Sequence, residues 1–290
     1  MSRPDATPST EDATMPPLVY ETVAWLRFYT HLPLPILPGE SEAATAADPL
    51  RTAQAVPIAG ALIGAVAGLV LAIFASLGAS PFVAAAAATL TLVAATHARP
   101  ELALAALAER MFGGPNGVHE HHGTLGGLVD RFRHHGHTEV LLAARVTIYG
   151  VLAILLAVLV RVGALESLTA KAAVATAFAL VGAGAVSRAA ATSFALIRSG
   201  GTGESPLQSD QSALQWLVAI GLGIGIVTVL PGFGVGATIA GIAAAIGAAA
   251  LVTAFVPRAE TEGGRLFTGT AELVAEIAFL IAVVAFSGTP

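Results

Sequence analysis

Uncharged apolar runs decide what this chain can fold into. Pro57 to Leu77, Ala213 to Leu230 and Val235 to Val256 contain no charged residue at all. A stretch of about 20 apolar residues matches the ~30 Å hydrocarbon core of a bilayer, and a spanning strand needs only about 10. In lipid every backbone N–H and C=O must be satisfied within the protein, so runs of this length form helices. Further apolar blocks run from Pro81 to Thr96, Leu141 to Val160, Thr169 to Ile197 and Ala271 to Phe286. Only 11% of the residues are charged, against about 25% in soluble domains. The expected fold class is all-α: a polytopic integral membrane bundle of about six to seven transmembrane helices.

Ala and Gly outnumber large apolar residues in these blocks, which favours close helix packing in lipid. Gly60, Gly64 and Gly68 recur at spacing four and form a small-residue stripe. Residues 1–20 are rich in Pro, Ser, Thr and acid and read as a disordered tail. Residues 21–290 then form a single membrane domain with a polar, His-rich segment at 97–140. Residues 21–37 have an amphipathic start and a Pro-x-Pro break, which fits either a short interfacial helix or a loop packed on the bundle. Arg27 and Arg51 precede the first span and place the N-terminus in the cytoplasm by the positive-inside rule. The chain has no cysteine, which excludes disulfides and thiolate metal sites. Its net charge of −5 argues against nucleic acid as a partner.

The longest polar interruption, His97 to Gly150, holds seven of the eight histidines. They cluster as His119-x-His121-His122 and His134-His135-x-His137. Imidazoles bind zinc, nickel or cobalt, but a Gly-rich loop fixes no ligand geometry and such tracts are commonly solvated. Ionisable residues within or beside the spans are Glu109, Arg145, Arg188, Glu272 and Glu276. A charge at the centre of a spanning helix costs at least ~2.5–3.5 kcal/mol, so each is a functional candidate. The alternative is that those near span ends snorkel to the interface. The chain contains no phosphate-binding loop, no Gly-x-Ser-x-Gly elbow and no His-Glu-x-x-His.

Trp25-Leu-Arg-Phe-Tyr-Thr-His-Leu-Pro-Leu-Pro35, followed by Val56-Pro-Ile-Ala-Gly-Ala-Leu-Ile-Gly64, resembles the start of the cobalamin synthases. These are adenosylcobinamide-GDP ribazoletransferases, integral membrane enzymes. The resemblance continues collinearly through Phe112-Gly113-Gly114, Arg145-x-x-x-Tyr149-Gly150 and Ser187-Arg188-Ala189 to Glu276. It implies joining of α-ribazole or its phosphate to GDP-activated cobinamide, with release of GMP, during cobalamin biosynthesis. It also implies a magnesium ion bridging phosphate oxygens. Its residue-by-residue implications are Glu109, Arg145 and Arg188 as catalytic, Tyr149, Ser187 and Glu276 as substrate-binding, and Glu101 and Glu109 as metal ligands. The implied partners are a corrinoid, a nucleotide-type substrate and the lipid bilayer, with a homo-oligomer left open. The implied location is the bacterial inner (plasma) membrane.

The acidic motif of that family departs here. Anchored on Phe112-Gly113-Gly114, its three aspartate positions fall on Leu102, Ala106 and Glu109; a shift of one recovers Glu101 and loses Glu109. A lone carboxylate holds magnesium weakly, since the ion takes its protein ligands from oxygen donors that converge. Two other readings follow from this: a catalytically degenerate paralogue that binds a corrinoid or serves a partner protein, and a small metal or solute permease.

Overall fold

The computed structural model describes residues 16–30, 34–38, 52–112, 148–199, 207–255 and 263–288. Within them lie seven helices and no strand: α1 (Pro17–Tyr29), α2 (Ala55–Ser76), α3 (Pro81–Ala95), α4 (Arg99–Phe112), α5 (Ile148–Ser199), α6 (Leu207–Phe255) and α7 (Gly263–Phe286). The His-rich clusters, Arg145 and His31 lie outside the described residues. Four helices are long and apolar enough to cross a membrane: α2, most of α5, most of α6, and α7 from Thr268. The pair α3 and α4 passes the same test together but bends by 83° between its members.

The two longest helices are each broken. In α5, Ala172 adopts an extended conformation (φ −159°, ψ 94°). In α6, Gly234 takes φ 81°, ψ 178° three residues after Pro231. Each half is then on the order of 20 residues or more, the length a single crossing needs. Gly234 occupies a backbone region that is essentially glycine-only. Ala172 follows Lys171, whose ammonium donates to Ser287 Oγ just past the end of α7. A lysine seeks the membrane surface, so the polypeptide turns where that side chain surfaces.

The stripe of small residues on α2 meets the second half of α5. A methyl group on Gly60, Gly64 or Gly68 would overlap the carbonyl oxygens of Gly184, Leu180 or Ala177 respectively. Those pairings run in opposite directions along the two helices, so they are antiparallel. Lipid is as apolar as leucine, so association rests on close packing instead of water exclusion; backbone-to-backbone approach is how glycine supplies it. Leu180, Leu217, Phe279, Leu280 and Val283 fill the shared interior.

α1 is too short to cross a bilayer and packs on the start of α2. Its residues 17–20 extend the ordered chain into the segment expected to be a disordered tail. Trp25 is buried and its indole N–H donates to Thr52 Oγ1 at 2.8 Å. Trp25 stacks on Tyr29, and Phe28 meets both rings edge-on. The 21–37 region therefore combines both expected forms, a short helix followed by a segment held on it: Tyr20 Oη donates to Pro38 O, and Arg27 donates to Pro35 O.

Candidate functional site

α4 is the polar helix of the bundle, and it lies antiparallel to the first half of α5. Near its start Glu101 meets Arg161; near its end Glu109 accepts the backbone N–H of Gly150 at 2.7 Å. Glu101 is 2% exposed and Arg161 3%. Arg161 Nη1 donates to Glu101 Oε1 at 3.0 Å, and Arg161 Nη2 lies 3.2 Å from Glu276 Oε1 on α7. The second contact is an ion pair by distance but lacks hydrogen-bond geometry, so Glu276 Oε1 keeps an unused lone pair. Glu101 Oε2 and Arg161 Nε are likewise buried without a hydrogen-bond partner. One guanidinium thus links α4, α5 and α7 through two carboxylates inside the bundle.

One helical turn from Glu276, towards the end that carries α1, lies Glu272, also buried. Around it stand Arg188 from α5 and Arg99 from α4, both acting on its carboxylate electrostatically. Arg188 is buried; its Nη1 donates to Gly184 O at 3.2 Å, while its Nε has no hydrogen-bond partner. Its guanidinium lies over the Tyr29 ring, 5.2 Å from the centroid, and that of Arg99 over Phe28 at 5.0 Å. Arg99 also donates to Phe28 O. Burial, and next the Glu272 carboxylate, push the Tyr29 phenol above its ordinary range, so it stays protonated as a hydrogen-bond donor. Phe28, Tyr29, Thr96, Arg99, Pro100, Thr268, Gly269 and Glu272 line a small open cleft with about 40 Å³ of room for water.

Of the residues singled out from the sequence, Glu101, Arg188, Glu272 and Glu276 come together in this cluster. Ser187 lies beside it, buried, with its Oγ turned to Gly184 O. Glu109 and Tyr149 do not join it. Tyr149 is 44% exposed and tilts against Phe112 near the end of α4, where Glu109 is held by Gly150. The two carboxylates expected to share a metal therefore sit at opposite ends of one helix. Sequence reasoning missed Arg161, Arg99 and Tyr29. Arg161 follows the apolar block ending at Val160 and reads as a span boundary. Its partners are sixty residues upstream in one case and on the last helix in the other.

Magnesium requires several oxygen donors that converge at about 2 Å. Here Glu101 and Glu276 converge on Arg161 and Glu109 on an amide. Among the described residues, no three His, Asp or Glu side chains are grouped so as to hold a metal ion. The described residues thus do not fit that ion; the acids of the His-rich segment, Glu120 and Asp130, lie outside them.

A family model described as Cobalamin-5-phosphate synthase matches residues 21–115, the portion from α1 through α4. An adenosylcobinamide-GDP ribazoletransferase of Azorhizobium caulinodans is 31% identical over 273 residues, covering 91% of this chain and 95% of its own. The chain belongs to the adenosylcobinamide-GDP ribazoletransferase family. The ribazoletransferase of Xanthobacter autotrophicus is 32% identical, covering 93% and 98% of the two chains. That of Allorhizobium ampelinum is 32% identical over 62% of this chain and 65% of its own. No solved structure matches. The likeness to these ribazoletransferases covers more than nine-tenths of the chain in two cases, well beyond the portion that the family model matches.

Proposed function

We propose that this chain is a membrane-embedded transferase that joins α-ribazole or its phosphate to GDP-activated cobinamide and releases GMP. The observation that carries this reading is the identity of 31% to a ribazoletransferase over nearly the full length of both chains. The buried cluster gives it physical sense. Transfer between a diphosphate and an alcohol places negative charge on phosphate oxygens, and preorganised guanidinium donors in a water-poor site stabilise that charge. Arg188 brings a buried guanidinium whose Nε is unpartnered, and Arg99 places a second guanidinium at the cleft. A phosphate oxygen would take the donor that Arg188 Nε leaves unused.

The remaining assignments belong to the same reading. The partners are a corrinoid, a nucleotide-type donor and the bilayer. The location is the inner membrane, with the N-terminus cytoplasmic, on the strength of Arg27 and Arg51 before the first span. The cleft then opens on the cytoplasmic side, where nucleotide substrates are made. The test is complementation of a bacterial strain that lacks its cobalamin synthase and is fed cobinamide. Growth restored by this chain supports the reading; no growth despite membrane expression overturns it.

A further inference from the structure

Glu272 differs from the other two buried glutamates. Glu101 and Glu276 are tied to Arg161, whereas no hydrogen bond or ion pair within 4 Å holds the Glu272 carboxylate among the described residues. It is 6% exposed, and what exposure it has is to the cleft it lines. Neither of its oxygens is among the sealed, unsatisfied atoms of the interior, as one is in Glu101 and one in Glu276; the carboxylate instead faces the cleft, where it can accept a hydrogen bond from a ligand group that enters. The cleft has about 40 Å³ of room, a few waters' worth when one water fills about 10–15 Å³. That admits a hydroxyl on a ring edge or one phosphoryl group, and no more. Arg99 lines the cleft with Glu272, so a phosphoryl group held by its guanidinium would lie beside any hydroxyl held by Glu272.

We propose that Glu272 is the general base of the transfer: it accepts the proton of the ribose hydroxyl on the ribazole as that oxygen attacks the cobinamide-linked phosphorus. This rests on the ribazoletransferase reading above. In the step, the ribose O–H bond breaks and its proton passes to a Glu272 carboxylate oxygen. The hydroxyl oxygen forms a bond to phosphorus. The bond from that phosphorus to the oxygen bridging the two phosphates breaks, and its electron pair leaves on GMP, which takes up a proton from solvent or from Glu272. The charged and titratable groups facing Glu272 are Tyr29 from α1, Arg99 and Glu101 from α4, Arg188 from α5 and Glu276 on α7 itself; α6 brings none among the described side chains.

The test uses the full chain in liposomes, with GDP-activated cobinamide and α-ribazole as substrates and GMP release as readout. Glu272→Gln is expected to lower kcat by about 10²–10⁴-fold, the usual share of a general base, with the Kd for GDP-activated cobinamide changed less than about twofold. The acid limb of the kcat/KM pH profile is expected to vanish in the residual activity, and Glu272→Asp to restore part of kcat. A Gln variant with near-wild-type kcat and an unchanged acid limb overturns the assignment while leaving the transferase reading intact. So does loss of donor binding in parallel with kcat in both variants, since that would make Glu272 a binding or structural group. A wild-type chain that binds both substrates but releases no GMP overturns both.

Discussion

Removing the guanidinium of Arg161 would leave Glu101 and Glu276 facing each other inside a membrane with nothing between them. Breaking a buried ion pair by deleting one partner costs about 3–5 kcal/mol, because the remaining charge is uncompensated. Arg161→Ala should therefore lower the thermal unfolding midpoint in detergent strongly, and Arg161→Lys should recover only part of the loss, since an ammonium cannot reach both carboxylates as a planar fork does. A midpoint within a degree or two of wild type for Arg161→Ala would refute the triad as a structural tie. At this scale the sequence was only partly legible. Arg188 and Glu276 stand out as charges inside apolar blocks. Arg161 does not, because it follows an apolar block of full spanning length and its partners come from α4 and α7. Charge pairing between distant helices leaves no local periodicity to read.

Helices obeyed local chemistry more closely. The glycines at 60, 64 and 68 forecast a close contact, and the second half of α5 supplies it, backbone against backbone. The break after Pro231 was also written locally, in a proline followed by a glycine that takes a positive φ. The break at Ala172 was not, since alanine is the strongest helix former; the lysine before it donates to Ser287 just past α7, a contact that no local pattern announces. The apolar block from Pro81 to Thr96 does not continue straight: α4 leaves α3 at an 83° bend and carries the buried Glu101. Two substitutions separate packing glycines from idle ones. Gly64→Val should reduce the folded, detergent-stable fraction sharply, because its side chain meets the Leu180 carbonyl. Gly223→Ala, whose added methyl meets open space, should stabilise by about 0.4–1 kcal/mol through the unfolded chain. Equal effects in a thermal-shift assay would show that the stripe is abundance and not packing.

Over the whole molecule, polar chemistry gathers at one end of the bundle. The cleft, Arg188 and Glu272 lie beside α1 and the start of α2, while Lys171 and Ser287 meet at the far end of α5's first half and of α7. The absence of cysteine makes the arrangement easy to test. Single cysteines at Leu18 and at Gly288, both exposed, should react with a membrane-impermeant maleimide from opposite sides: Leu18→Cys from the cytoplasm, Gly288→Cys from outside. Labelling of both from one side would overturn the stated order of crossings. Fold class was readable at this scale because membrane solvation acts on whole blocks of residues. The map of the candidate site was not, because Glu101, Glu272 and Glu276 are brought to it by two helices far apart in the chain.

One consequence concerns how such a chain can be made. Glu101 is synthesised and reaches the bilayer well before Arg161, sixty residues later, and Glu276 arrives only with the last helix. Until Arg161 follows on α5 the Glu101 carboxylate lacks its partner, and until Glu276 follows on α7 the guanidinium lacks its second carboxylate. The seat of α4 in the bundle can be completed only when the C-terminal helix leaves the translocon. Assembly of the buried triad therefore includes a late docking step, in which α7 closes over the much earlier α4.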